Sequence, residues 1–292
     1  MVIDCISDYK KILNQNPKKN PLKDMFLSDS IDKFKITKHR EGNYPAIITI
    51  SGWRSQDRDN RKDWEKSILK VYPDRVWFHL EWNSKRIPFI DKAHNTNLAR
   101  TDTEKKKSKV NLKLIKRAIY LTIGSTLSIV PILGVVSNSN KLLNNYWHSA
   151  VRNSKDTGDC LAKVLSACQN KEFILIGHSL GARVIYNCLS HLNENQLNSN
   201  IFEVHLLGGA VGSNSNKWSK QSLLVKNKIY NYFSDNDDVL RFSYRGSMLS
   251  ANPIGLSKIV NQKVENRNTT SFIHGHTEYI ENFSLIKKAW YM

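Results

Sequence analysis

The stretch at residues 172–189, EFILIGHSLGARVIYNCL, constrains the fold of this chain more than any other. Residues 173–176 form a short apolar run of the kind that makes a buried β-strand. The run leads into the pentapeptide Gly177-His178-Ser179-Leu180-Gly181, after which apolar side chains recur at helical spacing. A strand, a glycine-x-serine-x-glycine turn and a helix in this order are the context of a nucleophile elbow. Ser179 is therefore a candidate catalytic nucleophile.

Both flanking glycines have a physical reason in such a turn. The serine takes strained backbone angles, and a side chain at Gly177 or Gly181 would collide with the neighbouring strand or helix. The start of the following helix points backbone N–H groups at any anion formed beside the serine. The alternative is an ordinary strand-to-helix turn with an idle serine.

Strands and helices alternate along the rest of the chain. Phe34 and Ile36 predict an outer strand that ends at the turn at 41–43, and branched or aromatic runs predict strands at 45–50, 75–82, 202–207, 228–233 and 269–273. Apolar spacing predicts helices at 64–71, 143–168 and 279–290, and residues 213–220 are expected to form a loop. The alternation is typical of a mostly parallel sheet flanked by helices. We predict one α/β domain over residues 1–292.

Two backbone N–H groups are needed to stabilise the oxyanion that a serine nucleophile generates. In α/β-hydrolases one comes from the loop after an early strand and the other from the residue after the nucleophile. The strand at 45–50 ends in Ser51-Gly52-Trp53, so either Gly52 or Trp53 fits the first role, and Leu180 fits the second. The glycine-rich strand end at 208–210 is a further place where we expect substrate to approach the backbone.

The elbow also requires an acid and a histidine later in the chain, in that order. An acidic turn follows the strand at 228–233, and its three aspartates are Asp235, Asp237 and Asp238, of which Asp237 is favoured. The alternative is an ordinary Asp/Asn-rich turn.

Two histidines follow the last predicted strand. His276 is favoured over His274 because it lies further past the strand, just before a helix cap at Thr277. It would act as the general base for Ser179, while the aspartate holds the imidazole in the required tautomer. A His-x-His pair can also bind zinc, but no third ligand has suitable spacing, so we expect no metal and no cofactor.

Residues 83–140 predict an insertion into this fold. A basic run is followed by an uncharged apolar segment at 118–136, close to the roughly 20 residues that a membrane-spanning helix needs. A single crossing would place two parts of one sheet on opposite sides of a bilayer. The remaining interpretations of this segment are therefore a re-entrant hairpin, an interfacial helix, an apolar lid and an ordinary buried helix. The side chains expected to touch a membrane or cover the site are Lys116, Arg117, Leu121, Ile129 and Leu133.

The formal net charge of +18 predicts attraction to anionic partners. The basic run adjoins the apolar segment, so we favour an anionic membrane surface over nucleic acid, for which no recognised motif is present. The four cysteines lack metal or disulfide spacing and predict thiols of a protein made in a reducing compartment. The N-terminus lacks the pattern of a Sec signal peptide, so we expect cytoplasmic synthesis, followed by peripheral membrane association or export by another route.

These motifs together resemble the lipase-like α/β-hydrolases related to the eukaryotic transmembrane-and-coiled-coil-domain proteins, in their short bacterial-type form. The resemblance extends over about 47–279 as spaced blocks: ISGW at 50–53, LEW at 80–82, the helix at 146–165, IGHSLGAR at 176–183, LGGA at 207–210, NDDVL at 236–240 and GHTEY at 275–279. The family's serine, acid and histidine fall on Ser179, Asp237 and His276, and its hydrophobic segment falls on 118–136. The resemblance implies hydrolysis of an ester in a lipid or phospholipid.

The resulting hypothesis is a membrane-associated serine lipase or phospholipase. A toxic effector delivered against another cell's membrane is one setting that the length and charge permit, and an inhibitor or immunity protein is a compatible partner. The alternative is a catalytically inactive membrane-binding or tethering module on the same fold, which a missing member of the triad would favour. Each of the three required residue types is present at a suitable position.

Overall fold

A mostly parallel seven-stranded sheet forms the centre of the protein. The computed structural model describes residues 6, 9–14, 33–53, 55, 60–84, 136–241 and 252–289. The strand order is β1-β3-β2-β4-β5-β6-β7, in which β1 is antiparallel to β3 and the other neighbours are parallel. The strands are Lys35–Arg40 (β1), Asn43–Ile50 (β2), Arg75–Glu81 (β3), Phe173–His178 (β4), Ile201–Leu207 (β5), Ile229–Phe233 (β6) and Val264–Asn268 (β7).

Helices connect these strands and cover the sheet. They are Tyr9–Asn14 (α1), Asn60–Val71 (α2), Val136–Ala167 (α3), Leu180–Glu194 (α4), Ser215–Ser222 (α5) and Phe283–Lys288 (α6). A mostly parallel sheet with flanking helices and a serine turn between β4 and α4 is the α/β-hydrolase fold. The predicted fold class is therefore confirmed.

The central strand β4 is apolar because both of its faces are covered. All six of its residues are buried, as expected of a parallel strand with helices on each side. On one face Leu175 belongs to the apolar cluster that includes residues of α3 and α4. On the other face Ile176 shares a cluster with Trp64 of α2 and Phe283 of α6. The alternating side chains thus hold two helical layers against one sheet.

The long helix α3 packs closely on α4, the helix that follows the elbow. A Cβ atom added at Gly158 would lie 2.6 Å from Cβ of Asn187 and 2.8 Å from the backbone nitrogen of Cys188. Only glycine permits this approach of the two backbones. The glycine at this position of α3 is therefore explained by its packing on α4.

Three local predictions are wrong. Residues 215–222 form α5 rather than a loop, and the side chain of Asn214 caps the helix by accepting a hydrogen bond from the N–H of Lys217. The last strand is β7, at Val264–Asn268, rather than 269–273. Its sequence VENRN is polar, as suits a strand that has β6 as its one neighbour among the described residues and so lies at the edge of the sheet. The last helix is the short α6 instead of a helix over 279–290, since residues 279–282 form turns before it begins.

The predicted insertion lies largely outside the described residues, and so do Lys116, Arg117, Leu121, Ile129 and Leu133. Its described ends join the domain: α3 already begins at Val136, and Asn153 Nδ2 donates to the carbonyl of Asn83 over 2.8 Å. Across the ranges that the structure describes, no helix has both the length and the apolar character needed to span a bilayer.

The cysteines differ from the expectation of free thiols at one position. Cys160 and Cys188 are buried and free, and burial raises the pKa of the Cys160 thiol to about 12. Cys168 is disulfide-bonded. Spacing along the sequence did not predict this bond because no second cysteine lies near Cys168 at a characteristic interval.

Candidate active site

Ser179 stands at the tip of a strained turn between β4 and α4. Its backbone angles are φ 57° and ψ −119°, which a residue with a side chain adopts rarely. A Cβ atom at Gly177 would lie 2.6 Å from the backbone of Gly181, and one at Gly181 would lie 2.2 Å from the carbonyl oxygen of Ile50. Both glycines are therefore required by backbone contacts on either side of the serine.

The structure brings the three residues proposed for a triad together. Nε2 of His276 lies 2.8 Å from Oγ of Ser179, and Nδ1 of His276 lies 2.7 Å from Oδ2 of Asp237. Asp237 is fully buried and Ser179 is 5% exposed, while the His276 side chain is 10% exposed. The three residues come from the carboxyl-terminal side of β4, β6 and β7, where parallel strands bring their following loops to one edge of the sheet.

The hydrogen bonds define the direction in which protons can move. A carboxylate oxygen only accepts, so Nδ1 of His276 carries the hydrogen that it donates to Asp237. In a neutral imidazole the other nitrogen, Nε2, is then an acceptor, and the hydroxyl of Ser179 is its donor. This arrangement makes His276 competent to remove the proton from Ser179.

The acidic loop and the histidine loop are held to each other. The side chain of Asn236 donates to the carbonyls of Thr270 and Ile273 over 2.9 and 3.0 Å. Ser234 Oγ also donates to the carbonyl of Ile273. On the Asp237 carboxylate, Oδ1 accepts the N–H of Leu240, which leaves Oδ2 directed to the histidine. These contacts fix the separation of the acid and the base.

The other sequence candidates make different contacts. The Asp238 side chain is 72% exposed and lies 4.0 Å from Arg241. His274 is exposed, and its backbone N–H donates to Glu278 Oε2. Asp235 uses its own N–H to bond Thr270 Oγ1. Of the residues weighed for the acid and the base, His276 contacts Ser179 and Asp237 contacts His276.

His178, the residue before Ser179 in the elbow, contacts the histidine loop directly. Its Nε2 donates to the carbonyl of His276 over 2.8 Å, and its ring centroid lies 4.8 Å from that of His276. Burial and the adjacent His276 lower the pKa of His178 to about 3, so the ring is neutral. The only local signal was its place inside the elbow pentapeptide.

The loop predicted to supply the first oxyanion donor lies against the nucleophile. A Cβ atom at Gly52 would lie 2.7 Å from Cβ and 3.2 Å from Oγ of Ser179. The ring of Trp53 packs edge-on against Trp147 with centroids 5.4 Å apart. Leu180 is the first residue of α4, so its N–H has no partner within that helix. Within the described part of the chain, no protein atom accepts a hydrogen bond from the N–H of Gly52, Trp53 or Leu180.

The glycines at the end of β5 do not make room for substrate, in contrast to the expectation. A Cβ atom at Gly208 would lie 2.6 Å from the ring of Tyr279, and one at Gly209 would lie 2.6 Å from the side chain of Ile254. Gly208 also has a positive φ of 50°. Side chains of this protein fill the space. A glycine-rich sequence does not distinguish room for a substrate from room for the protein's own side chains.

The fold and this geometry define the class of protein as an α/β-hydrolase. Within that class, the chain belongs to the family described as "Protein of unknown function (DUF726)", which matches residues 23–290. Among the described residues, no group of three or more His, Cys, Asp and Glu side chains is arranged to hold a metal ion.

Curated relatives come from several eukaryotes. The chain is 29% identical over 83% of its length to transmembrane and coiled-coil domain-containing protein STS1 of Oryza sativa subsp. japonica, and covers 35% of that protein. It is 26% identical over 89% of its length to uncharacterized membrane protein F35D11.3 of Caenorhabditis elegans, covering 42%. It is 25% identical over 86% of its length to "Probable lipase MIL1" of Saccharomyces cerevisiae, covering 23%. The chain thus spans less than half the length of these relatives.

Solved structures with a similar fold share little sequence with this chain. A CIB-like hydrolase from Thermoplasma acidophilum matches with a TM-score of 0.40 and 11% identity, covering 88% of this chain and 90% of that one. Mouse alpha/beta hydrolase domain-containing protein 10 matches with a TM-score of 0.39 and 12% identity, covering 88% and 91% of the two chains.

Proposed function

We propose that this protein is a serine hydrolase that cleaves carboxylic esters of lipids, with membrane phospholipids as its substrate class. The observation that carries the proposal is the continuous path from Ser179 Oγ to His276 Nε2, 2.8 Å, and from His276 Nδ1 to Asp237 Oδ2, 2.7 Å. Hydrogen-bonded serine, histidine and aspartate in this order are competent for acyl transfer.

In the acylation step, Ser179 Oγ attacks the carbonyl carbon of the ester while His276 Nε2 takes the hydroxyl proton. The tetrahedral intermediate then collapses, the bond to the alcohol breaks, and His276 returns the proton to the leaving oxygen. The buried carboxylate of Asp237 stabilises the imidazolium that forms in between. In the second step, His276 takes a proton from the water that attacks the acyl-enzyme. The bond from the acyl carbon to Ser179 Oγ then breaks, His276 returns the proton to Oγ, and the fatty acid is released.

The negative charge of the tetrahedral intermediate requires donors that are already in place. The N–H of Leu180 and the N–H of Gly52 or Trp53 are suited to this role. Leu180 follows Ser179 in the chain, Gly52 lies against Ser179 in space, and Trp53 follows Gly52. Losing one such donor typically costs 10²–10³ in rate, or about 3–4 kcal/mol. Fixed donors beside the serine therefore account for a large share of the expected catalysis.

Two observations favour a lipid as the acyl donor. One relative carries the name probable lipase and others are named membrane proteins. In the sequence, the basic and apolar residues of 83–140 provide the charge and hydrophobicity that an anionic membrane surface attracts. The same properties are compatible with an apolar lid over the site.

The test is incubation of the protein with vesicles of phosphatidylethanolamine, phosphatidylglycerol and phosphatidylcholine, followed by mass spectrometry of the lipids. We expect free fatty acid and lysophospholipid from the wild-type protein and at least a 10³-fold lower rate from Ser179→Ala. The position of the lost acyl chain and the lipid consumed first identify the bond and the headgroup preference. Vesicle flotation without any lipid product would support the inactive tethering module instead.

A further inference from the structure

Gly52 allows the loop after β2 to approach Ser179 closely, and it also allows the loop more backbone conformations than another residue would. The contact with Ser179 excludes a side chain at this position, because the added Cβ atom would lie 2.7 Å from the serine Cβ. Without a side chain the backbone at Gly52 gains access to conformations that other residues avoid. A loop that must present a fixed N–H group therefore needs a restraint from elsewhere.

Two buried side chains, Trp82 from beyond β3 and Ser55 from further along the same loop, provide that restraint on two successive peptide groups. Nε1 of Trp82 donates to the carbonyl of Ser51 over 2.9 Å, and Oγ of Ser55 donates to the carbonyl of Gly52 over 2.7 Å. Both side chains are buried, and Trp64 Nε1 also donates to Ser51 Oγ over 2.9 Å. The carbonyls of Ser51 and Gly52 therefore have defined directions.

The direction of each carbonyl determines that of the next N–H. In a planar trans peptide the C=O and the following N–H point in opposite directions, and the Gly52–Trp53 peptide is not cis. When Ser55 holds the carbonyl of Gly52, the N–H of Trp53 is turned to the opposite side. In the same way, the bond from Trp82 turns the N–H of Gly52 away from that indole.

We propose that Ser55 is a positioning residue, whose hydroxyl holds the Gly52–Trp53 peptide in the orientation that presents the Trp53 N–H to the oxyanion. The proposal rests on the proposed function and adds the group that organises its oxyanion loop. Rotation of this peptide breaks the hydrogen bond from Ser55 and removes the donor from the site. Ser55 touches no reacting atom and acts through the backbone of Gly52.

Ser84 supports this arrangement from the end of β3. Its Oγ lies 3.2 Å from that of Ser55. A hydroxyl has one hydrogen, and that of Ser55 is directed to Gly52, so Ser84 is the donor in this contact. Ser84 thereby holds the Ser55 hydroxyl in place and links the loop to the strand that precedes the segment at 85–135.

The test compares Ser55→Ala with a matched control, Ser222→Ala. Ser222 is likewise a buried serine whose Oγ donates to the carbonyl three residues earlier, over 3.0 Å, but it lies on α5. With p-nitrophenyl butyrate as substrate, we expect Ser55→Ala to lower kcat by 10- to 100-fold with KM changed less than twofold. Ser222→Ala should keep kcat within twofold, and Ser55→Thr, which retains a hydroxyl, should recover at least a third of the wild-type kcat.

A second readout separates oxyanion stabilisation from a general structural effect. A trifluoromethyl ketone forms a tetrahedral oxyanion on the serine, so its Ki should rise in Ser55→Ala by the same factor as kcat/KM falls. If Ser55→Ala does not fold, as judged by circular dichroism, Ser84→Ala provides the same measurements, with an expected three- to tenfold loss of kcat and a parallel rise in Ki.

The outcomes distinguish this inference from the function on which it rests. A wild-type protein that neither hydrolyses the ester nor reacts with a fluorophosphonate contradicts the proposed function. An active wild-type protein with an equally active Ser55→Ala, or a loss of kcat without a rise in Ki, overturns the positioning role alone.

Discussion

Nε2 of His276 lies 2.8 Å from Oγ of Ser179, although 97 positions separate the two residues in the chain. The serine is fixed by the backbone contacts of its elbow and the histidine by the carbonyl bond from His178 and by Asp237. Both partners are therefore held in place by contacts other than the hydrogen bond between them. Such preorganisation is what makes a serine hydroxyl usable as a nucleophile.

The role of the acid is tested by comparing Asp237→Asn with Asp238→Asn. The first change keeps the shape of the side chain but replaces the carboxylate that selects the tautomer of His276, so we expect kcat on a soluble ester to fall by about 10³–10⁴. Asp238 is the matched control, because its side chain is 72% exposed, and its variant should stay within twofold of wild type. A larger loss of kcat in Asp238→Asn than in Asp237→Asn would show that Asp237 is not the acid.

The carbonyl bond from His178 to His276 is tested by replacing the donor. His178→Phe keeps a ring but removes the N–H, and we expect a 10- to 100-fold lower kcat with little change in KM. His178→Gln retains a donor and should lose less than tenfold. Equal activity of the wild-type protein and His178→Phe, with both folded by circular dichroism, would show that this hydrogen bond does not orient the base.

The space around two glycines predicts a large loss of stability on substitution of Gly181 in the elbow and a small one on substitution of Gly275 in the histidine loop. In Gly181→Ala the new methyl would lie 2.2 Å from the carbonyl oxygen of Ile50, so the backbone of α4 or β2 must move. We expect a loss of about 3 kcal/mol or more in the free energy of unfolding. In Gly275→Ala the nearest atom, Glu278 Oε1, is 3.7 Å away, and stability should change by less than about 1 kcal/mol. Urea unfolding of both variants measures the difference, and equal stabilities would contradict the packing.

The features of the fold and of the candidate site that could be predicted from the sequence are those that depend on neighbouring residues or on chain order. The elbow is local, so Ser179 and the start of α4 were found from a single stretch of residues. The places of Asp237 and His276 followed from chain order, because loops after parallel strands meet at one edge of the sheet. Their mutual distances then required the folded structure.

Features set by distant contacts were missed. Strand β7 has a polar sequence, and its buried Arg267 donates to the carbonyl of Lys287 over 3.1 Å and lies over the ring of Tyr230. The interaction of His178 with the His276 carbonyl spans 98 positions. Nothing in the neighbouring residues of β7 or of His178 indicates these partners.

Three buried histidines predict that stability falls in mild acid. Burial is the main reason that the pKa is lowered to about 3 for His79, about 3 for His178 and about 4 for His205, from an ordinary value of 6.5. Between those values the unfolded chain binds more protons than the folded protein, so the free energy of unfolding rises with pH. The stabilisation is therefore complete above pH 6.5 and is lost as the pH falls from 6.5 toward about 4 for His205 and about 3 for His79 and His178.

Urea unfolding at pH 7.5, 6.5, 5.5 and 4.5 measures this slope, to which each of the three histidines contributes up to about 1.4 kcal/mol per pH unit. His79 lies within β3, and its Nδ1 lies 2.8 Å from Oγ1 of Thr49 on the neighbouring strand. The variant His79→Phe should reduce the slope by the contribution of one histidine, up to about 1.4 kcal/mol per pH unit. A free energy of unfolding that does not change between pH 7.5 and 4.5 would contradict the assignment of buried neutral histidines.

The most direct test of the central claim is the site of covalent labelling by a fluorophosphonate probe. The probe phosphonylates an activated serine, so mass spectrometry of the digested wild-type protein should place one adduct on Ser179. Ser179→Ala and His276→Ala should both lose the adduct, while His274→Ala, an exposed neighbour in the same loop, should keep it. An adduct on another serine, or labelling that persists in Ser179→Ala, would contradict the assignment of the nucleophile.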